Sequence, residues 1–126
     1  MDVFSAETVT FRPGQVTKCR TGLCVHPVGA GEGYNEPGGW TLACFVWDKS
    51  GLAAKGLTTL GGVIDDPYTG EVLVVIACLA DPVTVEEGQK LTQFVVQRVE
   101  LAVIEDEPSP LEETARGDGG FSSTGR

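Results

Sequence analysis

The sequence predicts an all-β domain, a sandwich or barrel of short strands. Gly and Pro together make up 24 of the 126 residues, 17 plus 7, and this share favours many turns over long helices. The apolar runs between the turn signals are short and rich in Val, Ile, Phe, Thr and Trp, which strands prefer. A chain of 126 residues has apolar surface for one core and too little for a second.

Five apolar or alternating runs are the predicted strands. In chain order they are Val9–Phe11, Gly22–Val28, Trp40–Trp47, Glu71–Leu79 and Leu91–Ile104. Turn residues separate them at Arg12–Gly14, along the long Gly29–Gly39 stretch, at Asp66–Gly70 and at Ala80–Pro82. We expect Asp66-Pro67-Tyr68-Thr69 to form a type I turn with proline at its second position.

One segment, Ser50–Gly56, has helical features. Ser50 is a residue type that caps helix N-termini, and Ala53 and Ala54 favour helix. Lys55 and Gly56 suit the C-terminal end of a helix. The sequence therefore predicts one or two helical turns beginning at Ser50.

The end of the chain differs in composition from the predicted β domain, residues 1–104. The segment Glu105–Glu113 holds five acidic residues and two prolines, so we expect residues 105–115 to form an extended acidic tether. Residues 116–126 are rich in glycine and hydroxyl groups and include Arg116 and Phe121. Arginine and hydroxyls bind phosphate and an aromatic ring stacks on bases, so an arm that orders on a nucleotide is the functional interpretation. By composition alone, a frayed terminus is the more common alternative.

The composition excludes several classes of function. Nine Lys plus Arg against eighteen Asp plus Glu give a net charge of −9, which argues against binding nucleic acid through its phosphates. The longest wholly apolar run, Val72–Ala80, is far shorter than the roughly 18 residues of a membrane span. His26 is the only histidine and no C-x-x-C pair occurs, so a structural zinc site is poorly supported.

The cysteines predict a reducing compartment. Cys24, Cys44 and Cys78 have apolar neighbours, and we expect them to be buried free thiols, with Cys19 as the fourth cysteine. No signal peptide is visible at the start of the chain. We therefore expect a cytoplasmic protein, or one inside the host cell if the source is a virus or phage.

Five short motifs follow one another along nearly the whole chain. They are Asp2-Val3-Phe4-Ser5-Ala6-Glu7, Lys49-Ser50-Gly51-Leu52-Ala53, Gly62-Val63-Ile64-Asp65 with Tyr68, Gly70 and Glu71, Gly88-Gln89-Lys90-Leu91-Thr92-Gln93, and the glycine-rich tail Arg116–Gly125. Together they resemble the five ordered motifs of the trimeric dUTP diphosphatase (dUTPase) family. A single motif of this kind is weak evidence, but five in order with family-like spacing are strong evidence.

The resemblance implies a fold and an activity. The fold would be the dUTPase-like β-barrel or jelly roll, of the β-clip type, with one short helix and a flexible C-terminal arm. The activity would be hydrolysis of dUTP to dUMP and pyrophosphate by water attack on the α-phosphorus, which keeps uracil out of DNA and supplies dUMP for dTTP synthesis. The partners implied are dUTP and two further copies of the chain, in a homotrimer whose active sites are shared between subunits, with no nucleic acid and no membrane.

The second motif is implied to hold the phosphates. Lys49 and Gly51 would bind the phosphate chain, and Ser50 would polarise the α–β bridge. From the residues alone, a hydroxyl and the N–H groups at a helix start form an anion site, and Lys49 adds a positive charge. In most proteins the same residues are an ordinary cap beside a surface lysine.

The third motif is implied to hold the catalytic base and the nucleoside. Asp65 would deprotonate the attacking water and bind the sugar 3′-OH, since a carboxylate within hydrogen-bond reach of a water acts as a general base. Tyr68 would lie against the deoxyribose and exclude a 2′-OH. Backbone groups of Gly62, Val63 and Ile64 would bind uracil, because glycines permit close backbone approach. The alternative interpretation is a plain strand end followed by a turn.

The remaining implied roles belong to the fourth motif, the tail and the first motif. Gln93 would make a polar contact near the reacting water, or else be an outward-facing strand residue. Arg116 would pair with the γ-phosphate, and Phe121 would stack on uracil. The hydroxyls of Ser122, Ser123 and Thr124 would donate to phosphate oxygens. Mg²⁺ would be the cofactor, and Asp2 would help to hold it through water.

Two departures from the family pattern qualify these roles, and two other functions stay open. Lys49 stands where an arginine is usual, which gives a point charge in place of a bidentate fork. Ser122 stands where a glycine is common. The alternatives are a dCTP deaminase-like enzyme and a catalytically weak protein that uses the fold to bind a regulator. The pattern Gly62-Val63-Ile64-Asp65-x-x-Tyr68 and the tail with Phe121 disfavour the first alternative. The combination of Asp65, Tyr68 and Arg116 disfavours the second.

Overall fold

The computed structural model describes residues 1–106 and 114–115, and its β content agrees with the predicted class. Within these described residues, nine strands and one helix follow in the order β1 Asp2–Phe4, β2 Val9–Phe11, β3 Val16–Cys24, β4 Trp40–Asp48, α1 Ser50–Ala53, β5 Leu57–Leu60, β6 Val63–Ile64, β7 Glu71–Cys78, β8 Val83–Val85 and β9 Lys90–Glu100. None of the described helices is long and apolar enough to cross a membrane.

The strands form three antiparallel sheets. One sheet has the order β1-β9-β4-β6, a second has the order β3-β7-β5, and β2 pairs with β8. The longest pairing joins β4 to β9, from Trp40 opposite Glu100 to Asp48 opposite Thr92. Consequently the start of β1, the start of β9 and the end of β4 lie at the same end of the first sheet, since Asp2 also pairs with Gln93.

The core receives side chains from every described strand. The strand β7 shows why: alternate residues point to opposite faces of a strand, and Val72, Val74, Ile76 and Cys78 are all buried. The rest of the core consists of Val3, Phe11, Cys19, Cys44, Val46, Leu57, Ile64, Val83, Val85, Leu91 and Phe94. This antiparallel layering fixes the positions of the turns and strand ends that carry the polar motifs.

Two predicted strands have different limits in the structure. The predicted strand Gly22–Val28 overlaps β3, which runs over Val16–Cys24, and the buried residues Cys19 and Thr21 of β3 alternate with exposed ones. Because buried and exposed residues alternate, β3 contains no continuous apolar run and its start was not predicted. Gly22, with φ of 67°, lies where the pairing of β3 with β7 shifts register. The predicted strand Leu91–Ile104 ends at Glu100, because its partner β4 begins at Trp40, opposite that residue.

The helix and the cysteines also differ from expectation. The N-cap of α1 is Lys49, with no side-chain cap hydrogen bond, and Ser50 is the first helical residue. The helix ends at Ala53, and Gly56 closes the following turns with φ of 84°. Cys44 and Cys78 are buried free thiols as predicted, but Cys24 is exposed at the end of β3 and Cys19 is buried instead.

Candidate functional site

A first cluster of predicted site residues lies at the end of the sheet where β1, β4 and β9 meet. Lys49, directly after β4, places its Nζ atom 2.6 Å from Asp2 Oδ1. Lys90, the first residue of β9, places its Nζ atom 2.8 Å from Asp2 Oδ2. Both oxygens of one carboxylate therefore face an ammonium group. We call Asp2, Lys49 and Lys90 the lysine cluster.

The lysine cluster keeps the Asp2 carboxylate ionised. Hydrogen bonds from Lys49 and then from Lys90 lower the pKa of Asp2 to about 2, against a smaller opposing effect of desolvation. The side chains of Asp2 and Lys49 are 28% and 29% exposed, so water screens these pairs and they contribute little to stability. Two ammonium groups converging on one anion also suit a second anion, such as a phosphate.

The family resemblance assigned site roles to Asp2 and Lys49, whereas the sequence analysis assigned no role to Lys90. From the sequence, a lysine in the fourth motif is interpreted as an exposed strand residue. Lys90 is indeed exposed. Only the pairing of β1 with β9 shows that its ammonium group reaches Asp2. The signal in the sequence was its position three residues before Gln93.

Gln93 ties the end of β4 to β9. Its Nε2 atom donates to the Asp48 carbonyl at 2.9 Å, and the side chain is half-buried. Asp48, a second residue that sequence reasoning missed, accepts hydrogen bonds at its carboxylate from the Thr59 N–H at 2.7 Å and from Thr58 Oγ1 at 3.2 Å. These bonds fix the backbone that leads into Lys49.

Ser50 and Gly51 begin α1 beside the lysine cluster. Both are exposed, and the first N–H groups with acceptors in the helix belong to Leu52 and Ala53, which donate to the Lys49 carbonyl at 2.9 Å. Within the part of the chain that the structure describes, the N–H groups of Ser50 and Gly51 have no acceptor. The helix start therefore offers a hydroxyl and two N–H groups to an external acceptor.

A second cluster lies on the turn after β6. The Tyr68 N–H donates to the Asp65 carbonyl at 3.1 Å, which closes a turn over Asp65–Tyr68. The predicted turn over residues 66–69 is therefore wrong by one position, and Pro67 is third in the turn. The reason is that β6 ends at Ile64, so the turn begins one residue earlier than expected.

The side chains of this second cluster are oriented for contact with a ligand. Asp65 and Tyr68 are exposed, and the Tyr68 hydroxyl donates to the Glu71 carbonyl at 2.7 Å, which fixes the ring. The two residues line a cavity of about 180 Å³ together with Val63, Ile64, Val72 and Leu73. Among the described residues, no group donates a hydrogen bond to the Asp65 carboxylate.

Gly62 of the third motif lies close to the main chain of Val46 in β4. The Val46 N–H donates to the Gly62 carbonyl at 2.7 Å. A Cβ atom at position 62 would lie 2.8 Å from the Val46 carbonyl oxygen, so only glycine fits without a shift. Val63 is exposed and Ile64 is buried, so their backbone lies at the rim of the cavity beside Asp65.

One chain does not bring the two clusters together. The sheet pairs Cys44 with Ile64, so Asp65 continues β6 toward the start of β4, whereas Lys49 follows the end of β4. Lys49 is five residues beyond Cys44, and at about 3.3 Å per residue that is about 16 Å along the sheet. A base and a phosphate-binding group that act on one substrate need to approach within a few ångströms of the reacting atoms.

The described residues do not fit a directly coordinated metal ion. They contain no group of three His, Cys, Asp or Glu side chains placed to hold one. Asp2, predicted to contact Mg²⁺ through water, has an ammonium group at each of its carboxylate oxygens. The predicted tail residues Arg116, Phe121, Ser122, Ser123 and Thr124 lie outside the described residues.

Three kinds of comparison converge on one family. The family model described as dUTPase matches residues 1–125. A protein of Thermobifida fusca named deoxyuridine 5′-triphosphate nucleotidohydrolase is 38% identical over 129 residues, which cover 98% of this chain and 65% of that protein. A protein of Mycobacterium leprae (strain TN) with the same name is 35% identical over 135 residues, covering 99% of this chain and 80% of that protein.

Solved structures share the same fold. The dUTPase of Staphylococcus bacteriophage 80alpha, solved with dUpNHpp, superposes with a TM-score of 0.78 at 21% identity, covering 99% of this chain and 85% of that one. A variant dUTPase from phage phi11 of S. aureus, described with a structural Mg(II) ion, gives a TM-score of 0.61 at 24% identity, covering 89% and 82%. At these identities the likeness concerns the fold.

Proposed function

Because the chain belongs to the dUTPase family, its activity is dUTP hydrolysis, and we propose that water attacks the α-phosphorus to release dUMP and pyrophosphate. The sequence-based prediction of a dUTP diphosphatase agrees with the family match and with the names of the relatives. Neither the dCTP deaminase-like alternative nor the binding-protein alternative is favoured by these matches. The residue roles below are proposals that rest on the geometry of the two clusters.

The lysine cluster is the proposed phosphate site, and the convergence of two ammonium groups on Asp2 is the observation that supports it most directly. We propose that Lys49 contacts the phosphate chain and that Lys90 keeps Asp2 oriented beside it. Ser50 and the N–H of Gly51 then donate to phosphate oxygens, with Ser50 at the α–β bridge. Donors placed where negative charge develops lower the barrier of phosphoryl transfer.

Asp65 is the proposed general base. Its exposed carboxylate has no donor among the described side chains and main chain, so it is open to a water molecule at the cavity rim. Tyr68 is the proposed sugar-recognition residue, because its ring is held by the bond to Glu71 and lines the same cavity. Backbone groups of Gly62, Val63 and Ile64 are proposed to bind uracil.

The assembly is proposed to be a homotrimer with shared active sites. About 16 Å of strand separates the level of Ile64 from Lys49 in one chain, and Asp65 lies still farther away, so a site that uses both draws them from different subunits. Gln93 supports the site through the Asp48 carbonyl. Arg116, Phe121, Ser122, Ser123 and Thr124 are proposed to close over the nucleotide at the end of the acidic tether.

Two further expectations complete the proposal. Mg²⁺ is proposed to accompany the triphosphate and to neutralise phosphate charge, as suits an ion that binds phosphate oxygens and water. Each Asp2 oxygen accepts from one lysine and keeps a second lone pair, so the proposed contact with a water of Mg²⁺ is compatible with both ion pairs. A cytoplasmic location is proposed from the cysteine content and from the nucleotide substrate.

The proposed base is tested by changing Asp65 to Asn. We expect turnover of dUTP to fall by about 100-fold or more, because a general base contributes 10²–10⁴-fold, with little change in melting temperature. Pyrophosphate and dUMP would be quantified after incubation with Mg²⁺ and dUTP, and separately with UTP, dCTP and dTTP. The matched control is Asp81→Asn, the same change at an exposed aspartate outside both clusters. Parent-like turnover by Asp65→Asn would rule out the assignment.

A further inference from the structure

The segment 26–39, which includes the predicted turn Gly29–Gly39, packs against the start of β4. We call it the glycine loop. The Trp40 N–H donates to the Gly33 carbonyl at 2.8 Å, and Trp40 Nε1 donates to the Glu32 carbonyl at 3.0 Å. A Cβ at Gly39 would lie 2.0 Å from the Gly33 carbonyl oxygen, so the backbone itself is packed here. These contacts anchor the glycine loop to β4.

The anchored loop reaches the turn of the second cluster through one side chain. Asn35 Nδ2 donates to Asp66 Oδ2 at 2.6 Å. Asn35 has φ of 56°, a conformation that asparagine tolerates, and its own N–H donates to the Trp40 carbonyl at 2.8 Å. Asn35 is therefore held by its main-chain N–H on the side of Trp40 and by its side-chain amide on the side of Asp66.

Asp66 is held by the glycine loop through its Oδ2 atom, whereas its Oδ1 atom has no hydrogen-bond partner among the described residues. Its Oδ1 atom is buried and lies 3.4 Å from His26 Nε2, and the side chain as a whole is 16% exposed. Burial closes Oδ1 to a substrate, and Oδ2 is already bonded to Asn35. A substrate-contacting role is consequently assigned to Asp65, the next residue, and a structural contact to Asp66.

The turn that carries Asp65 has little other support. The strand β6 before it has only two residues, Val63 and Ile64, and the turn is closed by one hydrogen bond from the Tyr68 N–H. Resting on the proposed role of Asp65, we propose that Asp66 is a positioning residue. Its bond to Asn35 couples the turn to the glycine loop and fixes the direction of the Asp65 carboxylate.

An exchange of the two groups tests this coupling. Asn35→Asp alone places two carboxylates where an amide now meets a carboxylate, and aspartate also tolerates the backbone conformation at position 35. We expect kcat for dUTP to fall by about 10-fold or more with a smaller change in KM, because misplacing a reacting group acts on the transition state. Adding Asp66→Asn restores an amide–carboxylate pair, so the double variant is expected to return to within about threefold of the parent.

The control is Glu36→Gln, a neighbouring charge change at an exposed side chain that makes no described contact. All assays would be run well below the lowest melting temperature of the set, measured by circular dichroism, so that unfolding does not contribute. A parent-like kcat for Asn35→Asp, or an equal loss in the single and double variants, would overturn the coupling while leaving the proposed function intact. Absence of dUTP turnover in the parent protein would overturn both.

Discussion

At the scale of single residues, charge decides most of what the lysine cluster does. Asp2 is flanked by two ammonium groups, which favour its ionised form. The folded pKa of about 2 lies below the ordinary value near 3.8, so the pair contributes stability above pH 3.8 and loses it as the pH falls through about 2. The cluster is therefore fully formed at neutral pH, before any nucleotide binds.

This titration is a first prediction. The side-chain carboxyl carbon of Asp2, followed by NMR against pH, is expected to titrate with a midpoint of about 2. Lys49→Met is expected to raise that midpoint most, since Lys49 has the larger effect, and Lys90→Met to raise it less. Lys18→Met, a change at an exposed lysine outside the cluster, serves as the control. A midpoint unmoved by both cluster variants would show that the ion pairs do not form in solution.

At the scale of elements, β6 shows how a short strand is kept in a sheet. It pairs with β4 through Cys44 and Phe45, and the Val46 N–H bond to the Gly62 carbonyl extends this pairing by one step. The close approach at Gly62 leaves no space for a side chain. The placement of the Asp65 turn thus depends on the absence of a side chain at position 62.

A second prediction follows at this scale. Gly62→Ala is expected to destabilise the protein by about 1–3 kcal/mol, because the added Cβ would meet a backbone oxygen that cannot move away cheaply. Gly51→Ala is the matched control, since a Cβ at that helical position meets nothing within 4 Å. Thermal unfolding of both variants beside the parent gives the comparison. Equal melting temperatures for the two variants would show that β6 relaxes away from β4.

The sequence analysis predicted most of the long strands and missed most of the short ones. Long alternating strands such as β4 and β7 were found within one residue of their ends. The strands β1, β5, β6 and β8 were missed, because two to four residues carry little periodicity. The three-residue strand β2 was nevertheless predicted as Val9–Phe11, just before the turn residues Arg12–Gly14. The residues of the lysine cluster are far apart in sequence, so Lys90 could be assigned only once the pairing of β1 with β9 was known.

At the scale of the whole molecule, the separation of the two clusters is the central fact. Lys49 and Asp65 lie at different levels of one sheet, and the proposed reaction uses both. The family resemblance implied active sites shared between subunits. The separation of Lys49 from Asp65 within one chain gives a geometric reason to propose such sharing. The predicted trimer stays a proposal, and it has a direct experimental consequence.

Two inactive variants are expected to complement one another. Lys49→Met impairs the lysine cluster and Asp65→Asn removes the proposed base. In an equal co-expressed mixture, a site shared between chains has an intact Lys49 and an intact Asp65 in about a quarter of cases. Oligomers carrying both affinity tags would be purified and assayed with dUTP beside each variant alone. If each site were built within one chain, the mixture would be as inactive as its components.

The distribution of thiols gives this protein a built-in attachment point for a reporter group. Burial raises the pKa of Cys19 to about 11, so only about one molecule in 10⁴ carries the reactive thiolate there at pH 7. Burial also raises the pKa of Cys44, and Cys78 is buried as well. Cys24 alone is exposed, two residues before His26 at the base of the glycine loop. A fluorophore attached by mild alkylation would therefore label one defined position without mutagenesis, and its emission would follow the loop directly during turnover.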